Sequence, residues 1–125
     1  KTMGLEAGSH AVSIERINLA DGVPIMYETN LFPYQKYAFL LEEPLDGSLF
    51  ELLEKKCHTI VSYSNNSYLD LARASGRIAK ELRVPNREPL FFLYSEGYDS
   101  NNELVYIGKD YVLADQYRFY LDDPK

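Results

Sequence analysis

The sequence predicts an α+β fold built on a central antiparallel sheet, because strand pairs and helical segments are mixed along the chain. One strand pair flanks an Asp21-Gly22 turn, and the other flanks a polar turn at Asp99–Asn102. Asp-Gly between apolar runs is a strong hairpin signal, since both residues accept the positive φ of a tight turn. The predicted strands are Val12–Leu19 with Ile25–Leu31, and Pro89–Tyr98 with Glu103–Val112.

A short helix and a strand are expected after the first hairpin. Ser48 and Glu51 form a capping box, and the leucines between and after them recur at helical spacing up to about Lys56. Thr59–Tyr63 is rich in β-branched residues, which favours a strand.

A second helix is expected before the second hairpin. Ser67 and Asp70 suggest its start, and it should stop before Pro85, which cannot continue a helix. Gln116–Tyr120 is a possible last strand. The apolar face of this helix would consist of Leu71, Ser75, Ile78, Ala79 and Leu82.

The chain also repeats itself after about 79 residues, which suggests a duplicated helix plus hairpin unit. In that interpretation Lys1–Leu5 is the end of a first helix that is truncated in this chain and continues upstream. The matching segments are Ala11-Val12 with Leu90-Phe91, and Ile25–Tyr27 with Leu104–Tyr106.

Composition and charge limit the class of protein. The 125 residues, 46% of them hydrophobic, suffice for one core, so a single domain is expected. The net charge of -6 would repel a phosphate backbone, so any DNA contact must come from another part of the protein. Cys57 is the single cysteine, and no apolar run approaches the roughly 18 residues of a membrane span. These features indicate a cytoplasmic domain without membrane association.

Five segments carry a family resemblance. Arg16–Pro24 is similar to a pattern Arg-x-Arg-x-Ala-Asp-Gly-x-Pro, and Ala114–Phe119 is similar to an ending Gly-Asp-Arg-Tyr-Arg-Phe. The other three are Tyr27–Pro33, Asp46–Glu54 and Ala79–Val84. In this order and spacing they resemble the UTRA domain, the ligand-binding half of HutC-type regulators in the GntR family. The resemblance covers nearly the whole chain, so residues 1–125 are identified as one such domain.

The resemblance implies both a fold and a function. The fold would be chorismate-lyase-like, with a central antiparallel sheet and helices that enclose a pocket for a small polar metabolite. The function would be effector sensing in a bacterial transcriptional repressor, without enzymatic activity or a cofactor. Family members are homodimers that read DNA through an N-terminal winged helix-turn-helix, which this chain lacks. Effector binding would change the spacing of the two DNA-reading domains.

The candidate site lies on the first hairpin. Alternation along the first strand places Arg16 and Asn18 on one face. A three-residue loop at Asp21–Val23 would pair Arg16 with Glu28 and Asn18 with Met26. Without the resemblance, a plain cross-strand ion pair between Arg16 and Glu28 is the favoured explanation of this pattern. The resemblance implies effector contacts at Arg16, Asn18, Glu28, Ser48, Tyr106 and Val112.

Three of these positions depart from the family members that bind sugar phosphates. Asn18 replaces a second arginine, Tyr106 replaces a glutamate, and Val112 replaces a tyrosine. One guanidinium is a poor partner for a dianionic phosphate. A carboxylate, or a neutral sugar stacked on Tyr106, fits the remaining residues. Ser48 has two interpretations: its hydroxyl can cap the helix, which is the favoured role, and the free backbone N–H groups beside it can hold an anion.

Other functions are less well supported by the sequence. His10, Cys57 and His58 lack the spacing of a zinc site, so no metal is expected. Adjacent residues such as Cys57 and His58 point apart, which disfavours a nucleophile and base pair. Two alternatives stay open: a chorismate-lyase-like enzyme that uses Arg16 and Glu28, and a dimerisation module without a ligand.

Overall fold

A five-stranded antiparallel sheet forms the centre of the computed structural model, which describes residues 10–116 and residue 118. The strands are β1 (Ala11–Ala20), β2 (Val23–Pro33), β3 (Tyr63–Arg73), β4 (Pro89–Tyr98) and β5 (Leu104–Leu113). Their order across the sheet is β1-β2-β5-β4-β3. The predicted α+β class and both predicted hairpins are therefore confirmed.

The helices are short and lie in the connections. They are α1 (Tyr34–Tyr37), a 3-10 helix (Ala38–Glu42), α2 (Leu49–Cys57), α3 (Gly76–Leu82) and a second 3-10 helix (Ala114–Gln116). In the ranges that the structure describes, no helix is long and apolar enough to cross a membrane.

The first hairpin has the predicted register but a tighter turn. Arg16 lies opposite Glu28, as predicted. The three-residue loop is wrong, because Asp21 and Gly22 alone form the turn, with φ values of 51° and 80°. Two consecutive positive φ values match the right-handed twist of the flanking strands. The observed turn is one residue shorter than the predicted loop. A β-bulge after Asn18 accommodates this extra residue within the strand pair, so Arg16 still lies opposite Glu28.

Helix α2 begins where the capping box predicts. The Ser48 hydroxyl accepts a hydrogen bond from the backbone N–H of Glu51 at 3.3 Å. The helix ends at Cys57, after which His58 adopts a left-handed conformation with φ of 56°.

The segment between α2 and β4 differs most from the prediction. The strand expected at Thr59–Tyr63 in fact begins at Tyr63, and the helix start expected at Ser67 is part of β3. The helix is confined to Gly76–Leu82 and does end before Pro85. Strand β3 pairs with β4 alone, and nearly all of its residues are exposed. An edge strand without a buried face lacks the alternation that would have revealed it.

The sheet separates two apolar clusters. Helix α2 and the first 3-10 helix cover one face, at the end where β1 starts. Helix α3 covers part of the opposite face. The buried residues of the first cluster are Val12, Ile14, Phe32, Tyr37, Leu40, Leu49, Leu53 and Val105. Those of the second are Tyr27, Ala74, Ala79, Leu82, Leu90 and Leu113.

The two hairpins meet through their second strands, since β2 pairs with β5. The truncated first helix predicted at Lys1–Leu5 lies outside the described residues. Gln116 belongs to a 3-10 helix, and most of the possible strand at Gln116–Tyr120 also lies outside them.

Candidate functional site

The sheet face under α2 changes from apolar to polar along β1. Val12 and Ile14 are 2% and 5% exposed and pack in the core. The next two residues with the same orientation are Arg16 and Asn18. On β2 the same face carries Glu28 and Met26 opposite them. The polar end of this face therefore contains the three hairpin residues predicted to bind a ligand.

Glu28 is the centre of the polar end. Its carboxylate accepts hydrogen bonds from Arg16 Nη2 at 3.4 Å and from Asn18 Nδ2 at 3.1 Å. A third donor, Asn30 Nδ2, lies at 2.8 Å. The side chains of Arg16 and Glu28 are 25% and 17% exposed, so this is not a plain surface ion pair.

Arg16 also connects the sheet to the loop before α2. Its Nη1 donates a hydrogen bond to the carbonyl oxygen of Gly47 at 2.9 Å. Its Nε is buried and has no hydrogen-bond partner among the residues that the structure describes. A buried N–H without an acceptor is costly, so this atom is an unsatisfied donor at the polar end.

Asp110 extends the polar end onto the next strand. It lies opposite Glu28 in the pairing of β2 with β5. Its Oδ1 is buried and lacks a hydrogen-bond partner within the described part of the chain. Burial, and secondarily the negative charge of Glu28, raises the pKa of this carboxyl from 3.8 to about 6.

Tyr106 lies at the border between the polar end and the core. Its ring covers Gly97 and Gly108: a Cβ atom at Gly97 would collide with the ring, and one at Gly108 would lie in tight contact with it at 3.1 Å. It also packs against the Phe50 ring, with 5.2 Å between centroids. Burial, and then the charges of Asp110 and Glu28, raises the pKa of the Tyr106 hydroxyl. Tyr106 is thus held within the electrostatic field of the two carboxyl groups.

The last two predicted residues contribute differently. Val112 is 2% exposed and lies opposite Met26, so its side chain belongs to the packed floor of this face. Ser48 is exposed and caps α2. It also lines an open cleft of about 610 Å³ along α2, to which Arg16 and Glu28 do not contribute. Ser48 is connected to the polar end through its neighbour Gly47, whose carbonyl oxygen accepts the hydrogen bond from Arg16.

Asn30 and Asp110 were missed in the sequence. Both share the orientation of residues that were selected, because Asn30 follows Glu28 by two positions and Asp110 precedes Val112 by two. Strand parity would have found them had it been applied to the whole of both strands.

Metal or thiol chemistry finds no support in the geometry. Within residues 10–116 and 118, no group of three His, Cys, Asp or Glu residues could hold a metal ion. The Cys57 thiol lies 3.1 Å from the Thr59 hydroxyl and 3.2 Å from the carbonyl oxygen of Leu53. It therefore interacts with its own helix and loop.

Comparison with known proteins gives a consistent result. Residues 1–118 match the family model of the UTRA domain. The HTH-type transcriptional repressor PhnF of Mycolicibacterium smegmatis is 27% identical over 103 residues, which are 82% of this chain and 42% of that protein. The chain thus spans less than half the length of this relative.

Solved structures share the fold. The effector domain of PhnF from Mycobacterium smegmatis superimposes with a TM-score of 0.86 at 24% identity, over 94% of this chain and 72% of that one. The C-terminal domain of Yurk from Bacillus subtilis gives a TM-score of 0.83 at 17% identity, over 92% and 79%. The predicted chorismate-lyase-like fold is therefore confirmed.

Proposed function

Because the chain belongs to the UTRA domain family, we propose that it is the effector-sensing domain of a bacterial transcriptional repressor and not an enzyme. The main support is the polar end of the sheet, where buried polar atoms of Arg16 and Asp110 have no partner in the described residues. The same strands bury Val12 and Ile14 under α2, so the fold itself does not require polar residues on this face. A bound polar metabolite would supply the absent hydrogen bonds.

Arg16 is the proposed anchor for the effector. It holds Glu28 on one side and the Gly47 carbonyl oxygen of the loop before α2 on the other. A ligand that accepts a hydrogen bond from Arg16 in place of Glu28 or Gly47 changes how this loop is attached to the sheet. Ligand binding would in this way be transmitted to the position of α2.

The proposed ligand is a small polar metabolite such as a sugar, a sugar derivative or a carboxylate. The amide of Asn18 and the hydroxyl of Tyr106 suit the hydroxyl groups of such a ligand. A phosphate dianion is poorly matched, because the single guanidinium already contacts Glu28.

DNA contact would belong to another part of the full protein. The chain has a net charge of -6, which opposes binding to a phosphate backbone. We expect no electrophoretic shift of duplex DNA by this chain at about 50 mM salt, where non-specific binding is strong. A micromolar shift under these conditions would contradict this part of the proposal.

A homodimer is also proposed, with β3 as part of its interface. This edge strand exposes Tyr68 by 49%, Leu69 by 40% and Leu71 by 81%, more apolar surface than a monomer usually leaves on one strand. Light scattering should report a dimer at about 100 μM, a concentration well above a micromolar dissociation constant. Leu71→Lys should shift the population towards monomer, and a monomeric wild type would refute the interface.

Native mass spectrometry tests the sensing function. Protein purified without denaturation should carry a small metabolite whose mass is lost on unfolding. An enzyme would instead release pyruvate from added chorismate faster than the uncatalysed background. A protein that carries no metabolite and binds none from a cell extract would support a dimerisation module.

A further inference from the structure

Asp110 is the carboxyl group at the polar end that is still able to accept a partner. Its Oδ1 is buried and has no hydrogen bond to any residue that the structure describes. A buried acceptor without a donor is unfavourable, and a charged one more so. The Oδ1 atom of Asp110 would therefore be stabilised by a hydrogen-bond donor that the described residues do not supply.

Glu28, in contrast, has hydrogen-bond donors at both of its oxygens. It lies directly opposite Asp110 on the neighbouring strand, and Arg16, Asn18 and Asn30 all donate to its two oxygens. The two carboxyl groups are thus not equivalent. Three side chains of the protein donate to Glu28, whereas the buried Oδ1 of Asp110 has no donor among the described residues.

The charges at the polar end favour a cation. Glu28 and Asp110 carry two negative charges when ionised, against the one positive charge of Arg16. Tyr106, which also lies beside Asp110, is neutral at physiological pH, since its pKa lies above the usual value of 10.0 through burial and the charges of both carboxyl groups. Opposite Asp110 on β4 lies Leu93, which brings no charge. An added phosphate would be repelled, whereas an ammonium group would restore neutrality.

We propose that Asp110 binds a protonated amine of the effector, so that the ligand of this domain is an ammonium-bearing small metabolite. The ammonium group donates to Asp110 Oδ1 and supplies the missing positive charge. The remainder of the ligand contacts Arg16, the amides and Tyr106. This inference rests on the proposed sensing function and specifies the chemistry of its ligand.

The test is calorimetry with matched probes at pH 7.5. The probes are glucosamine, ethanolamine and glycine, each against its N-acetylated form, together with glucose 6-phosphate. We expect at least one free amine to bind at least tenfold more tightly than its N-acetylated form, which has lost the charge. Glucose 6-phosphate should bind more weakly than that amine.

Variants connect this preference to Asp110. Asp110→Asn should weaken binding of the preferred amine at least tenfold and reduce the discrimination against its N-acetylated form. Asp70→Asn is the matched control, because Asp70 is exposed on β3 and has the opposite orientation in the sheet. It should leave both affinities unchanged.

Three results would overturn the inference. They are an unchanged amine affinity in Asp110→Asn, a preference for the N-acetylated probes or the phosphate, and no binding of any amine to the wild type. A co-purifying metabolite without an amine would overturn the inference and leave the sensing function intact. If the wild type carries no metabolite and binds no probe, both fail.

Discussion

Two carboxyl groups on neighbouring strands and opposite faces of the sheet have contrasting surroundings. Glu96 on β4 is 5% exposed and accepts hydrogen bonds from Asn66, Tyr94 and Tyr98 at 2.7 to 2.9 Å. Asp110 on β5 has a buried oxygen without a partner among the described residues. Glu96 is therefore surrounded by hydrogen-bond donors of the protein, whereas Asp110 Oδ1 has none among the described residues.

The pKa values follow this difference. Burial raises the pKa of Glu96, but the three hydrogen bonds outweigh it, so that the pKa lies below its usual value of 4.5. For Asp110, burial and Glu28 act in the same direction and raise the pKa to about 6. Glu96 has the surroundings of a carboxylate that stabilises the fold. Asp110 has those of a carboxyl group whose ionisation the fold disfavours.

Removal of Glu96 should have the largest effect on stability. Glu96→Ala deprives three donors of their acceptor, at a cost of about 3 kcal/mol in the free energy of unfolding. Because the folded pKa is lowered, the contribution of Glu96 is complete above pH 4.5 and is lost as the pH falls through the folded pKa. Denaturant unfolding of the wild type and Glu96→Ala at pH 7 measures this cost, and the same comparison at low pH measures how much of it is lost. Glu103→Ala, at an exposed position, should change stability by less than about 0.5 kcal/mol.

Asp110→Asn should raise the free energy of unfolding, in contrast to Glu96→Ala. A raised folded pKa means that ionisation of Asp110 destabilises the fold as the pH rises from 3.8 to about 6. Without ligand, the variant should therefore be more stable than the wild type by about 2 kcal/mol at pH 7.5. The difference should disappear below pH 3.8. A variant less stable than the wild type at pH 7.5 would show that Asp110 has an internal partner.

The smallest effect is expected at Ser48. Ser48→Ala removes the cap of α2 and should cost about 1 kcal/mol. Ser48→Asn retains a capping side chain and should restore most of this loss. If both variants weaken ligand binding to the same extent, Ser48 contacts the ligand, and its role exceeds capping.

Much of the fold could be predicted from local signals. The Asp21-Gly22 turn located the first hairpin, but the predicted three-residue loop placed Arg16 opposite Glu28 only because the β-bulge after Asn18 offsets the shorter turn. The capping box at Ser48 located α2. Both signals act over a few residues and do not depend on the rest of the fold.

Strand β3, and the contacts that bring the residues of the candidate site together, could not be found in this way. The Ser67 and Asp70 pair satisfies a capping pattern, but pairing with β4 determines the structure there. The contact of Arg16 with Gly47 joins residues far apart in the chain. The proximity of Asp110 to Glu28 depends on β2 pairing with β5, which one hairpin alone does not reveal.

The central claim is that the polar end of the sheet binds the effector through Arg16, and calorimetry of Arg16→Ala with the co-purifying metabolite tests it most directly. Loss of a charge-assisted hydrogen bond in a desolvated site should reduce affinity by roughly thirty- to a thousand-fold, or about 2 to 4 kcal/mol. The control is Arg77→Ala, which removes a pair with Glu15 at 3.0 Å in which the arginine is 69% exposed. This control should leave binding unchanged. Equal affinity in the wild type and Arg16→Ala would contradict the account.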